Sequence, residues 1–203
     1  MHHYPSPAEP PPRRRRKNYL PLVIIALVLV FIACLAAILL WSTAARWRTE
    51  RLPPLAYEEL IFHYSAERDL DPFFVMGLIR AESSFRSQAV SPMGARGLMQ
   101  IMPSTGAWLA ERKQIDFDEA YLFEPAYNIR MGTYYLRLLL NMFEFPDTAL
   151  AAYNAGMGNV RNWLGDERYS DDGYTLHTIP FSETRAYVER VNRYTEIYRE
   201  LYS

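Results

Sequence analysis

The chain has 203 residues, enough for one ordinary domain plus extensions. Lys and Arg number 22 against 23 Asp and Glu, and from Leu52 onward the balance is 14 to 21, a net of about −7. So acidic a main body lacks the electrostatic footprint of a nucleic-acid-binding module, and nucleic acid is excluded as a partner. The single cysteine, Cys34, excludes an internal disulfide framework.

Residues 1–12 carry five prolines, and Arg13–Lys17 is a run of five cations. Residues 1–21 are therefore predicted to be a disordered, proline-rich and basic tail. Leu22–Trp41 is a stretch of twenty uncharged, mostly apolar residues. As a helix it would span about 30 Å at ~1.5 Å rise per residue, the thickness of a bilayer core. It exceeds the ~7–15 residues of a signal-peptide core, although small Ala44 and Ala45 follow it. Cys34, preceded by Phe-Ile-Ala, faintly resembles a lipid-attachment box, but Leu35–Trp41 are apolar where a lipoprotein has a polar tether. An uncleaved transmembrane signal anchor over 22–41 is the expectation.

Five cations precede the span and Arg46, Arg48 and Arg51 follow it, which places the N-terminus in the cytoplasm and the main domain outside it. Trp41 and Trp47 suit the far interface. Residues 42–54, ending in Pro53-Pro54, form a juxtamembrane linker, and 55–203 the principal domain.

That domain shows helix-period patterning and almost no strand alternation. The predicted helices are roughly 55–68, 72–84, 95–101, 103–112, 126–143, 147–155, 158–164 and 183–201. Ile129, Gly132, Leu136, Leu139 and Phe143 mark the fifth, and Tyr187, Val191, Tyr194, Tyr198 and Leu201 the last. Gly156 is placed as a C-cap residue. Asp166–Gly173 is polar and reads as a surface loop.

In the second helix, Asp71 and Pro72 read as N-cap and first helical residue. Val75, Leu78 and Ile79 follow at helical spacing, and Glu82 takes the next place on that stripe. Burial and the negative end of the helix dipole both raise a carboxylate's pKa, and a Glu protonated near neutral pH is what a general acid requires. The alternative is a Glu that turns at the helix end and reaches water.

Three later segments bear on that choice. Gly94–Pro103 places Gly97, Leu98, Met99 and Gln100 before a proline: glycine admits close backbone approach, and Gln offers donors and an acceptor. The same stretch also reads as a glycine-hinged turn that packs Leu98, Met99 and Met102 into the core. Ala151–Gly156 puts Tyr153 and Asn154 at a helix terminus, where Asn and Gly are also ordinary C-terminal residues. Ile179–Val188 opens the last helix: Glu183 could complement the dipole, and Tyr187 begins the apolar stripe.

Together, Glu82-Ser83, Gly97-Leu98-Met99-Gln100, Ala152-Tyr153-Asn154 and the Pro-Phe-Ser-Glu-Thr-Arg-x-Tyr-Val run from Pro180 resemble the soluble lytic transglycosylase family, the Slt-type, goose-lysozyme-related murein lytic transglycosylases. The resemblance covers roughly residues 58–200. It implies a mainly α, lysozyme-like domain, here preceded by the single transmembrane helix. It also implies cleavage of the β-1,4 bond between N-acetylmuramic acid and N-acetylglucosamine in peptidoglycan glycan strands. By position, Glu82 would be the single catalytic acid/base and Ser83 would orient the reacting region. Gly97, Leu98, Met99 and Gln100 would line the groove. Tyr153, Asn154, Glu183 and Tyr187 would contact substrate or support the glutamate.

The resemblance implies no cofactor. Nor do the residues suggest a metal: His2, His3, His63 and His177 form no ligand pattern, and Asp116-Phe117-Asp118 lacks the glycine and terminal Glu of a calcium loop. The expected location is the bacterial cytoplasmic membrane, with the catalytic domain on its periplasmic or other extracytoplasmic side. Which cell-wall or secretion machinery such a protein would serve is left open. Two rivals stand beside this reading: a lysozyme-like hydrolase using the same Glu82 with water, and a peptidoglycan-binding scaffold without catalysis.

Overall fold

The computed structural model describes residues 29–38 and 56–202. The expected tail (1–21), linker (42–54) and both ends of the expected span (22–28 and 39–41) lie outside the described residues. The chain divides into two compact units, Met1–Pro54 and Leu55–Ser203.

In the first unit, residues 29–38 are helical (α1), and Leu29, Val30, Phe31, Ile32, Leu35 and Ile38 are all exposed. Ten residues reach about 15 Å, half a bilayer core. Among the described residues no helix is long and apolar enough to cross a membrane.

The named elements of the second unit are all helical, in keeping with the expected class: α2 Glu58–Glu67, α3 Pro72–Ser83, α4 Pro103–Lys113, a 3-10 turn Glu119–Phe123, α5 Pro125–Phe143, α6 Pro146–Ala155, α7 Met157–Leu164 and α8 Ser182–Tyr202. Prolines open α3, α4, α5 and α6, where a missing N–H goes unfelt and φ is already helical. Asp71 caps α3 as its sequence suggests, its carboxylate accepting from Phe73 N–H at 2.9 Å. Gly156 ends α6 at φ 88°.

Helix α3 is the centre of the unit. Val75 through Ile79 are buried without interruption, so the helix is covered on every side. It packs most extensively on α8, with α2 beside it. At Gly77 the two backbones meet: a Cβ there would stand 2.8 Å from Thr195 N and 2.9 Å from Val191 O. Helix α5 buries its predicted stripe, Ile129, Gly132, Leu136, Leu139 and Phe143, and packs on α2, α6 and the 3-10 turn. In α8, Tyr187, Val191 and Tyr198 are buried, whereas Tyr194 is half-buried and Leu201 exposed.

One predicted helix is absent. Residues 95–101 form a tight loop with antiparallel bridges Val90–Arg96 and Arg96–Ile101. Arg96 and Ile101 exchange both N–H···O=C bonds at 3.0 Å. The spacing of Leu98, Ile101 and Met102 imitates a helical stripe, but Gly94, Gly97 and Gln100 adopt φ of 88°, 77° and 47°, which no right-handed helix accommodates.

Candidate active site

Glu82 and Ser83 are the last two residues of α3, before the chain turns left-handed at Ser84 and Phe85. Ser83 is buried, and its hydroxyl donates to the Leu98 carbonyl at 2.7 Å, with the Ile79 carbonyl farther off at 3.3 Å. The end of α3 is thereby tied to the 97–100 loop.

That loop is bound from several directions. Gly97 N–H donates to Ala89 C=O at 2.9 Å, and Gln100 Nε2 donates to Gly97 C=O at 2.8 Å and Ala89 C=O at 3.2 Å. Gly97 is required twice over: its φ is positive, and a Cβ would collide with the Leu122 carbonyl and the Asn128 side chain. From α6, Tyr153 donates its hydroxyl to Met99 C=O at 2.8 Å. Leu98 and Met99 have fully buried side chains, so only their main chain is available to the site.

Glu82 is half-buried. Desolvation is the largest influence on its carboxyl; the Tyr187 hydroxyl and the Arg190 charge pull the other way, and the pKa rises from 4.5 to about 7. Burial, with the Glu82 charge second, pushes both Tyr153 and Tyr187 well above the ordinary phenol range. Three groups from α3, α6 and α8 therefore form one electrostatic cluster. The buried Tyr187 hydroxyl faces Glu82 closely enough to depress its pKa, yet it makes no hydrogen bond of ordinary geometry.

A cleft of about 220 Å³ opens beside this cluster, lined by Gln100, Thr105, Tyr135, Tyr153, Asn154 and Gly156 among others. A second hollow of about 270 Å³ shares Thr105 and Tyr135 and adds Trp108 and Met157. Neither lining contains a carboxylate. Asn154 accepts from the Thr184 hydroxyl at 2.7 Å. Glu183, the neighbour of Thr184, points outward: it is exposed, and no hydrogen bond or ion pair joins it to the other site residues.

Of the ten residues singled out in the sequence, the structure gathers nine around the end of α3 and leaves Glu183 on the periphery. Asn128, Thr184, Arg190 and the Trp108–Tyr135 wall were not anticipated. Asn128 and Thr184 were findable by the criterion that selected Glu82, a polar residue on an apolar stripe: Asn128 lies four before Gly132, and Thr184 three before Tyr187.

A carboxyl half-protonated near neutrality, beside an aromatic and amide-lined cleft, is equipped to give and take a proton. A family model described as the transglycosylase SLT domain matches residues 59–175. Over 150 residues the chain is 41% identical to the soluble lytic murein transglycosylase of Salmonella typhimurium, a match covering 72% of this chain and 23% of that protein. It is 31% identical over 165 residues to the membrane-bound lytic murein transglycosylase C of Actinobacillus pleuropneumoniae, covering 70% of this chain and 45% of that one.

Among solved structures, the 70 kDa soluble lytic transglycosylase of Escherichia coli matches with a TM-score of 0.66 at 36% identity, over 75% of this chain and 25% of that chain. An inactive glutamate-to-glutamine mutant of the lytic transglycosylase Slt from Pseudomonas aeruginosa matches with a TM-score of 0.65 at 37% identity, over 72% and 24%. The chain thus spans about a quarter of the length of the soluble relatives it matches. These likenesses bear out the mainly helical, lysozyme-like fold, and with the family model covering more than half of its residues, the chain belongs to the transglycosylase SLT domain family.

Proposed function

We propose that this protein is a membrane-anchored peptidoglycan lytic transglycosylase, with Glu82 as its only acid/base. The observation that carries the proposal is the Glu82 carboxyl itself, lifted to about 7 in a cluster with Tyr153 and Tyr187, with Tyr153 also lining the adjoining cleft. Most glycosidases need two carboxylates, one as acid and one as nucleophile or base. A single carboxyl suffices if the substrate supplies the nucleophile.

Protonated Glu82 gives its proton to the β-1,4 glycosidic oxygen as the bond to the muramoyl C1 breaks, and the substrate's own 2-acetamido group supports the positive centre. The resulting carboxylate takes the proton of the muramoyl C6 hydroxyl, whose oxygen closes on C1. The product is a 1,6-anhydromuramoyl end, and no water is consumed. A tethered nucleophile profits from high effective molarity. One carboxyl serving first as acid and then as base works best with a pKa near the working pH.

Tyr187 and Tyr153 flank the carboxyl, Ser83 and the Gly97–Gln100 loop set its position, and Gln100, Tyr153 and Asn154 offer polar contacts to the sugars. Glu183, on the rim, is assigned a contact with the outer part of a bound strand. The 22–41 segment is the anchor, with the tail of 1–21 in the cytoplasm, the linker of 42–54 outside and the 55–203 domain facing the wall. The membrane-bound relative from Actinobacillus supports that assignment. Mass spectrometry of murein digested by the protein tests the reaction: anhydro ends support it, and reducing ends, heavier by one water, identify a hydrolase instead.

A further inference from the structure

Asn128 stands in the first turn of α5 with 1% of its surface exposed, and its amide is committed to backbone outside its own helix. Its Oδ1 accepts from Met99 N–H at 2.8 Å, and its Nδ2 donates to the Leu122 carbonyl at 2.7 Å and the Arg96 carbonyl at 3.0 Å. One turn farther along α5, Gly132 leaves room for the Met99 side chain: a Cβ there would lie 2.8 Å from Met99 Cβ. Helix α5 therefore grips Met99 twice, by its peptide and by its side chain.

The Leu98–Met99 segment is consequently bonded to three helices: to α5 through Asn128, to α3 through Ser83 and to α6 through Tyr153. Ser83 is covalently next to Glu82, and Tyr153 both lines the cleft and feels the Glu82 charge. We propose that Asn128 is the positioning residue of this site, locking the Leu98–Met99 strap so that Ser83 and Tyr153 hold Glu82 at a fixed place against the cleft. Apolar packing of Leu98 and Met99 alone fixes depth but not register, because such contacts are non-directional, whereas three hydrogen bonds from one rigid amide fix both.

The proposal rests on the lytic activity proposed above, and its test separates the two. With the full-length protein acting on murein sacculi, Asn128→Ala is expected to lower kcat at least tenfold and change KM less than threefold, at a temperature where circular dichroism shows it folded; a misplacement of about 1 Å is enough for such a loss. The alkaline limb of its pH profile should move to lower pH, as water reaches the carboxyl enclosed by Tyr153 of α6 and by Tyr187 and Arg190 of α8. Adding Ser83→Ala should cost little more than the worse single change, since both act through one strap.

A kcat within twofold of wild type, or losses that multiply, overturns the proposal. Should the alanine variant not fold, Asn128→Asp, nearly isosteric, is expected to show the same loss at neutral pH and to recover on acidification, when its carboxyl can again donate; full activity at neutral pH overturns the proposal. Independently of turnover, the loss of wild-type stability between pH 4.5 and 7 that Glu82 produces should flatten in the folded Asn128 variant. An inactive wild type removes the functional reading, while an unchanged slope removes only the role of Asn128.

Discussion

Replacing Glu82 by Gln should make the protein more stable, and only above a definite pH. In the folded state the carboxyl titrates near 7, against 4.5 for an unhindered one. Between those values the folded state holds more of the proton than the unfolded state does. Stability attributable to this group is therefore fully present below about 4.5 and is lost as pH rises through 7. The difference between about 7 and 4.5, at ~1.36 kcal/mol per pH unit, sets a ceiling of about 3 kcal/mol. Because Glu82 keeps part of its surface open to solvent, about 2–3 kcal/mol is the expected magnitude.

The neutral amide has no such titration. In thermal melts followed by circular dichroism, the variant's advantage should grow by about 2–3 kcal/mol between pH 4 and pH 8, roughly 5–10 °C in Tm for a unit of this size. A constant offset from the amide's own contacts with Tyr187 does not matter, since the slope carries the prediction. An advantage that is flat with pH, or that shrinks as pH rises, refutes the assignment of a desolvated, protonated Glu82.

Two further outcomes follow from the same geometry. Activity should decline above pH 7, approaching tenfold per unit, because only the protonated carboxyl can act as acid; a rate profile flat to pH 9 would contradict this. Gly97→Ala should destabilise by more than about 3 kcal/mol, since it forces φ +77° on a residue whose Cβ meets the Leu122 carbonyl and Asn128; urea melts within 1 kcal/mol of wild type would show that the loop yields.

The sequence disclosed those features whose cause is local. Asp71-Pro72 announced the start of α3, because capping needs only neighbours in the chain, and the stripe from Val75 to Glu82 revealed the buried face. Gly156 marked the end of α6 for the same reason. At 95–101 the glycine-hinged turn forms and not the helix: hydrophobic spacing is the same whether a segment winds or folds back, and the positive φ at Gly94, Gly97 and Gln100 selects the turn. The apolar stripe of α5 marks Asn128 as a buried polar residue, but its role is not local: two of its three partners, Met99 and Arg96, lie 29 and 32 residues away in the loop. Thr184 meets Asn154 because the first turn of α8 points it inward with Tyr187, while its neighbour Glu183 stays in solvent.

The central claim is a lone acid/base that cuts without water, and the products released from intact sacculi test it most directly. Wild-type protein beside Glu82→Gln, analysed by mass spectrometry, should show muropeptides with 1,6-anhydro ends from the wild type and none from the folded variant. Reducing ends from the wild type, or undiminished release by the variant, would contradict the account.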